Sequence, residues 1–409
     1  MCIRDSFRNL RDRGYLLSRS LGWLLLGYLV WIAASLRIAE NRITTIGVVL
    51  ALIAVLSFLL WRRQRPSMAA FWRAQKRSVL FGEGLFAASF LLFVAFRIAN
   101  PDIWQPWNGG EKFMEFAFLN AILRSPTFPP IDPYFAGGTI NYYYFGHYLV
   151  ALLVKLTGIW SSVAFNLAVP TVFALTIANT FSLGANLAAG LSDRAKVRAR
   201  AEVVPPVAPV ALATDNDPIS PAETVLQQPE HPEQHDTPLE IDLQATDIAA
   251  TAEDVPQIHS ESDVAESRPE HDVADVSGTS EPAFSPLPRS AVLTGLLAAF
   301  FVAMLGNVDG GGQVVRKLAE LSTGSFQSNL PGVQTAVKAA GGLAEVLGGA
   351  NLPSYNYWDP SRVIPYTINE FPYWSFLFAD LHPHMIGIGF TVLFLALAFN
   401  LLAGWDSKL

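Results

Sequence analysis

Apolar residues in this chain collect in long uninterrupted runs separated by short polar joints, unlike the one-faced or alternating patterns of a water-soluble domain. Runs of about 19 or more residues with almost no charge are long enough to cross a hydrocarbon layer of roughly 30 Å. The clearest occupy 16–37, 43–61, 79–98, 290–308 and 385–404. A sixth, 163–189, contains Pro170, which a membrane helix tolerates. The pattern predicts an all-α polytopic membrane protein of about six transmembrane helices with further helices at the outer interface.

One stretch is ambiguous. "INYYYFGHYLVALLVKLTG", residues 140–158, opens on three tyrosines and then turns apolar. As a helix, 142–158 reaches only about 26 Å, slightly short for an untilted crossing. Tyr144, His147, Tyr148, Ala151 and Lys155 share one face and leucines and valines fill the rest, as in a helix lying in the interface. The neighbouring charges choose between the two readings, because basic residues mark the inner side. Arg4, Arg8, Arg11 and Arg13 precede the first run, and Arg62, Arg63, Arg65, Arg73, Lys76 and Arg77 fill the loop between the second and third. Both segments belong inside, so 99–162 lies outside with Trp104 and Trp107 near the boundary. Arg194, Lys196, Arg198 and Arg200 follow the 163–189 run. Counting 142–158 as a crossing would put these four outside; an interfacial or re-entrant helix keeps them inside. The expected location is the cell membrane, with the N-terminus cytoplasmic.

Composition sharpens this picture. The chain of 409 residues is 51% hydrophobic and only 15% charged. Its net charge of -7 conceals two opposite parts: 201–288 holds 19 of the 35 acidic residues and a single basic one, Arg268. The remainder carries 27 basic residues against 16 acidic ones. Residues 190–288, rich in proline, alanine, serine and acids, show no helical or strand period and are expected to form a disordered cytoplasmic insert. The organisation expected is two membrane helices in 1–78, a core in 79–189, the insert in 190–288, and the core continued in 289–409. Cys2 is the only cysteine, which excludes an intrachain disulfide and a multi-cysteine metal site. No nucleic-acid partner is expected.

Four of the seven histidines lie scattered in the insert without ligand spacing; the other three, His147, His382 and His384, sit in aromatic motifs assigned to the outer face. The first outer loop carries Glu111 and Glu115, four residues apart at the start of an apolar helix and thus on one face. Such a pair can act as a general base or hold a divalent cation, although Asn108 with Glu111 also fits a capping box. Asp132 lies in a proline-rich loop, as either an aimed carboxylate or an Asx-turn residue. Asp309 follows the fifth run on a glycine-rich turn. The second outer loop ends in "WDPSRVIPYTINEFPYWSFLFADLHPHMIGIGF", where Arg362, Glu370, Asp380, His382 and His384 crowd an aromatic segment. Such groups near lipid are costly unless paired or used. The His382–His384 spacing suits a loop, for metal or phosphate.

"GGEKFMEFAFLNAILRS", "FPPIDPYFAGGTINYYYFGHY", "LGNVDGG" and "INEFPYWSFLFADLHPH" resemble the hallmark blocks of the uncharacterised "YYY" family of prokaryotic membrane proteins. That resemblance implies that the chain is an amino-terminal portion of a longer protein. The order of acidic residue, proline loop, interfacial helix and inward span followed by basic residues is in turn similar to the GT-C glycosyltransferases. This second resemblance implies transfer of a sugar from a polyprenyl-phosphate donor at the outer membrane surface. Glu115 or Glu111 would be the base, Asp309 and Asp132 would assist or hold a divalent cation, and Lys112, Arg124, Arg362, His382 and His384 would neutralise phosphate. Tyr144, His147, Glu370 and Asp380 complete the candidate substrate site, with the polar face of 142–158 turned toward Glu111 and Glu115. A transporter or flippase of a lipid-linked precursor, and a noncatalytic scaffold, are the competing readings. Transporters carry ionisable groups near the midplane, whereas the only acidic residue in the runs here is Glu83, near the inner end of its helix.

Overall fold

The computed structural model describes Phe7 and residues 9–104, 110–203, 286–306, 309–351, 354, 356 and 358–405. The acidic stretch 204–285, with the four scattered histidines, lies outside the described residues. Eleven helices follow one another among the described residues: α1 (Ser18–Ser35), α2 (Ile43–Arg63), α3 (Arg65–Ala99), α4 (Lys112–Arg124), α5 (Tyr144–Thr157), α6 (Ser161–Val203), α7 (Arg289–Ala303), α8 (Asp309–Leu321), α9 (Val333–Leu347), α10 (Pro372–Phe378) and α11 (Pro383–Trp405). The one β feature described is an isolated bridge between Ile131 and Thr139.

Four helices, α2, α3, α6 and α11, are long and apolar enough to cross a membrane. Their burial differs sharply. In the most apolar window of α6, 67% of residues are buried inside the fold, against 6% for α2. So α6 is the central post, and α2 exposes Val48, Leu52, Val55 and Phe58. Such an apolar surface is sustainable against lipid and not against water. Helices α1 and α7, of 18 and 15 residues, pack beside these four; the run expected at 290–308 is helical only to Ala303.

Lipid supplies no hydrophobic drive for helices to associate, so close packing of small residues must do it. Helix α7 buries Ala291, Gly295, Ala299 and Ala303 at four-residue spacing. A β-carbon on Gly295 would lie 2.7 Å from the Phe181 carbonyl oxygen of α6, and one on Gly184 would lie 2.7 Å from Ala298 Cβ. The two helices therefore touch backbone to backbone.

Polar side chains tie the bundle at its two ends. At one end the buried Asp12 carboxylate accepts hydrogen bonds from Ser182 Oγ at 2.7 Å and Asn186 Nδ2 at 3.0 Å, Arg11 pairs with Asp193, and Asn9 bonds Asn400. The chain's start, residues 182–193 of α6 and the late turns of α11 thus share that end. At the opposite end Asn41 Nδ2 donates to the carbonyls of Ile122 and Ser125, Arg97 donates to Asn166 Oδ1 at 2.6 Å, and Ser161 Oγ donates to Asn120 Oδ1 at 2.9 Å. Helix α5 starts and finishes at this second end. Trp31 Nε1 donates to the Tyr144 hydroxyl at its beginning, and Lys155 donates to the Asn41 carbonyl near its finish. Its 14 residues reach about 21 Å, and α5 does not connect the two ends.

Three expectations change. The basic segment 62–77 is not a loop: Gln64 alone separates α2 from α3, and the remaining basic residues ride on the first turns of α3, where a proline early in the helix suits its start. The stretch 190–203 is helical as the continuation of α6, since alanine, leucine, arginine and lysine favour helix even without an apolar face. The segment expected as the second outer loop contains α8 and α9, packed against each other, before the short turn at Asp359–Arg362 and α10.

Gly295→Leu should lower the unfolding free energy of the detergent-solubilised chain by roughly 1–3 kcal/mol, because the clash is with backbone. Gly22→Leu, whose β-carbon meets nothing within 4 Å, is the matched control. Equal melting curves for the two would show that the α6–α7 contact is not close-packed.

Candidate active site

The site lies at the end of the bundle that holds α4 and α5, and it is built from two segments far apart in sequence. Glu111 occupies the N-cap position of α4 but makes no capping hydrogen bond. A capping box would need it inside the helix at the third position, so that alternative falls; Asn108 lies outside the described residues. Glu115, one turn later, is 0% exposed. Its Oε2 accepts a hydrogen bond of 2.6 Å from the Leu381 amide, and its Oε1 has no hydrogen-bond partner.

Leu381 reaches it because α10 stops abruptly. Ala379 takes the left-handed conformation, φ 60°, and reverses the chain, a conformation that costs a residue with a β-carbon about 1–2 kcal/mol. Asp380, Leu381 and His382 are thereby turned back over α4. Gly110 permits the approach from the other side: at φ 60°, a β-carbon there would lie 2.3 Å from the Phe378 ring and 3.1 Å from Asp380 Oδ2.

His382 is the hub. Its Nδ1 stands 3.4 Å from Glu115 Oε1, 3.5 Å from Glu111 Oε2 and 3.9 Å from Asp380 Oδ2. The Tyr142 hydroxyl donates to Glu111 Oε2 at 3.3 Å and lies 3.5 Å from His382 Nε2. Glu111 is the open member, with 47% of its side chain exposed. Burial raises the Glu115 carboxyl above its usual range, and burial followed by the nearby Glu115 charge raises Asp380 to about 8. Contact with Glu115, offset by partial burial and reinforced by the other carboxylates, holds His382 protonated up to about 9. The buried Lys112 ammonium lies over the Phe378 ring, and burial and then Arg97 pull its pKa down while Asp380 opposes them. Glu111, Glu115 and Asp380 thus converge on the one His382 ring, and of the three only Glu111 is open to solvent.

The other predicted site residues distribute as follows. His384 Nε2 pairs with Glu370 Oε2 at 2.8 Å and with Ser375 Oγ at 3.2 Å, and its ring is 4.7 Å from that of His382. Arg362 stacks on Trp358 and bonds Ser361, and its charge helps to lower the pKa of Glu370 after the dominant contact with His384. His147 is fully buried near the hub and neither ring nitrogen has a hydrogen-bond partner; burial, then the His382 charge, brings its pKa to about 4.

The polar face expected of α5 does not turn to the site as a unit. Tyr148 donates to the Gly27 carbonyl, Tyr144 is held by Trp31, and Lys155 points back to Asn41. Asp132 serves the Asx turn, accepting from the Tyr134 amide at 2.8 Å. Asp309 pairs with Arg316 on its own helix at 3.2 Å. Arg124, at the far end of α4 from Glu111, joins Arg42 and Lys155 around a separate pocket of about 450 Å³.

Tyr142 was missed as a site residue because only helical positions from 144 onward were aligned on one face. The signal was present in the tyrosine run itself, which places one hydroxyl just ahead of the helix. Its ring also borders a groove of about 420 Å³ between α1, α5 and α11, lined by Leu24, Trp31, Phe145, Leu149, Ile386 and Phe390. The groove is almost wholly apolar and the cluster beside it is almost wholly ionisable.

Fold and site together define a helical membrane protein that carries an acidic and histidine-containing centre at one end of its bundle. The profile of a family described as uncharacterized membrane protein (DUF2298) matches residues 25–409, and the chain belongs to that family. No protein of curated function and no solved structure matches it.

The pH dependence of stability follows from the shifts. His382 binds its proton more tightly in the folded state, so its contribution is complete below about pH 6.5 and is lost as pH rises through about 9. Asp380, kept protonated in the fold up to about 8, becomes a cost as pH rises toward that value. With a chelator present, the melting temperature should therefore fall between pH 6.5 and 9, and Asp380→Asn, which mimics the neutral acid, should melt higher than the parent at the upper end. A flat profile in both proteins would contradict the assigned protonation.

Proposed function

We propose that this protein is a group-transfer enzyme of the outer membrane surface. It would take a sugar from a polyprenyl-phosphate carrier, as the likeness to the GT-C glycosyltransferases suggests. The observation that carries this reading is the double position of Tyr142, with its hydroxyl on Glu111 and near His382 and its ring on the apolar groove. A substrate with an anionic head and an isoprenoid tail fits both halves at once. A wholly soluble substrate leaves the groove without a purpose.

In this scheme the acceptor hydroxyl loses its proton to Glu111, the exposed carboxylate. The acceptor oxygen bonds to the anomeric carbon of the sugar, the bond from that carbon to the phosphate oxygen breaks, and the carrier leaves as its phosphate. The protonated His382 faces the charge that develops on that phosphate. Glu115 is too deeply buried to meet the acceptor and acts through His382, whose proton it holds in place. The base role expected of either glutamate is therefore assigned to Glu111.

The same proposal sets the topology. The end with Arg11 and Asp193 is cytoplasmic, six helices cross, and α4 and α5 rest in the outer interface. Two measurements test the proposal separately. Glu111→Gln in the full-length protein should reduce sugar transfer from a polyprenyl-phosphate donor by roughly 10²–10⁴-fold with membrane expression unchanged; retained transfer would remove Glu111 from the chemistry. A reporter fused at residue 240 should read cytoplasmic, and an external signal would make α5 a crossing.

A further inference from the structure

Sugar transfer by Glu111 and His382 gives no role to one oxygen of Glu115. The fully buried Glu115 Oε1 has no hydrogen-bond partner, although it points at His382 Nδ1, an atom that also has none. A buried carboxylate oxygen left in this way is costly, and a proton shared at 3.4 Å is a weak remedy, since charge-assisted hydrogen bonds close to about 2.7–2.9 Å.

The spacing fits a different occupant. Zinc ligands at about 2.0–2.1 Å in tetrahedral geometry stand about 3.3–3.4 Å from one another. His382 Nδ1 lies 3.4 Å from Glu115 Oε1 and 3.5 Å from Glu111 Oε2, and one ligand atom from each of the three residues falls within 4.8 Å of the others. We propose that Glu111, Glu115 and His382 form a binding site for a divalent transition cation of the zinc type, open at the fourth position.

The surroundings have the form of a metal site's outer shell. The Leu381 amide fixes Glu115 through Oε2 and so turns Oε1 inward, and the Tyr142 hydroxyl stands beside Nε2 of the imidazole whose Nδ1 would bind. Asp380 Oδ2, 3.9 Å from His382 Nδ1, is a further oxygen beside the three ligand atoms. An imidazole among the ligands disfavours magnesium and calcium, which prefer oxygen throughout. Glu111 is the exposed member of the three, so a fourth position on its side would suit a phosphate oxygen. The cation would then replace the His382 proton as the positive charge facing a leaving phosphate, and Glu111, binding through one oxygen, would keep the other for the acceptor's proton, a refinement that rests on the transferase reading. The binding site itself does not depend on it.

The test uses the full chain in detergent, stripped with chelator, offered Zn²⁺ alone, desalted and assayed for retained metal. The parent should retain about one Zn²⁺ per chain more than Glu115→Gln and His382→Asn. Asp132→Asn, which preserves its turn, should match the parent. The four histidines between 231 and 271 contribute equally to all four proteins, so the difference reports this site alone. Melting curves of the stripped variants show whether each is folded, and Glu111→Gln, at an exposed position, repeats the test with little risk to folding. Equal retention by parent and variants, or no retention by the parent, overturns the proposal. Because neither donor nor acceptor is present, the outcome is independent of whether the protein transfers sugar.

Discussion

The hydrogen bond from the Leu381 amide to the buried Glu115 carboxylate is the joint on which the site depends. It connects residues 266 positions apart, fastening the first turn of α4 to the reversal that precedes α11. A carboxyl is expensive to bury, and one amide donor does not cover both of its oxygens. The fold retains this arrangement although Ala379 must adopt a left-handed conformation to deliver the amide. Two local costs fall at one point, avoidable by an apolar residue at 115 and a glycine at 379, and strain of this kind clusters at functional sites.

Around that joint the bundle separates its tasks. Central helix α6 meets α7 through small residues that bring backbones together, a contact that resists sliding because no side chain can give way. The end that holds Asp12, Ser182 and Asn186 is knitted by hydrogen bonds in which both Asp12 oxygens are used. At the opposite end Glu115 Oε1, His382 Nδ1 and both nitrogens of His147 lack hydrogen-bond partners. Ionisable groups left in this way are the feature on which the proposed chemistry rests.

Much of the architecture was legible because membrane helices announce themselves by length and charge. The arginines after residue 193 favoured reading 142–158 as interfacial, and the hydrogen bonds at the two ends of α5 lie on one side of the bundle. Glu111, Glu115, Asp380 and His382 were all visible as ionisable residues in aromatic surroundings. Their grouping was not visible, since nothing local in the sequence says that Ala379 reverses the chain or that Gly110 lets Phe378 come close. Tyr144, Tyr148 and Lys155 looked like a site-facing stripe because helical spacing gives a face but not its direction; contacts with α1 and Asn41 decided it. Helices α8 and α9 escaped notice because their polar residues broke the runs by which the other helices were found.

Tyr142 shows why the tyrosine run matters beyond an aromatic belt. A tyrosine is apolar along its ring and polar at one point, so it can border lipid and an acid cluster together. All three tyrosines line the apolar groove, but Tyr143 is 74% exposed and Tyr144 spends its hydroxyl on Trp31. What separates the three is where each hydroxyl goes. Only the first can carry information between a bound lipid and the ionisable centre, because only its hydroxyl touches Glu111 while its ring lines the groove. A phenylalanine at 142 would keep the groove and remove the link, whereas the same change at 144 would keep the link and loosen α5 from α1.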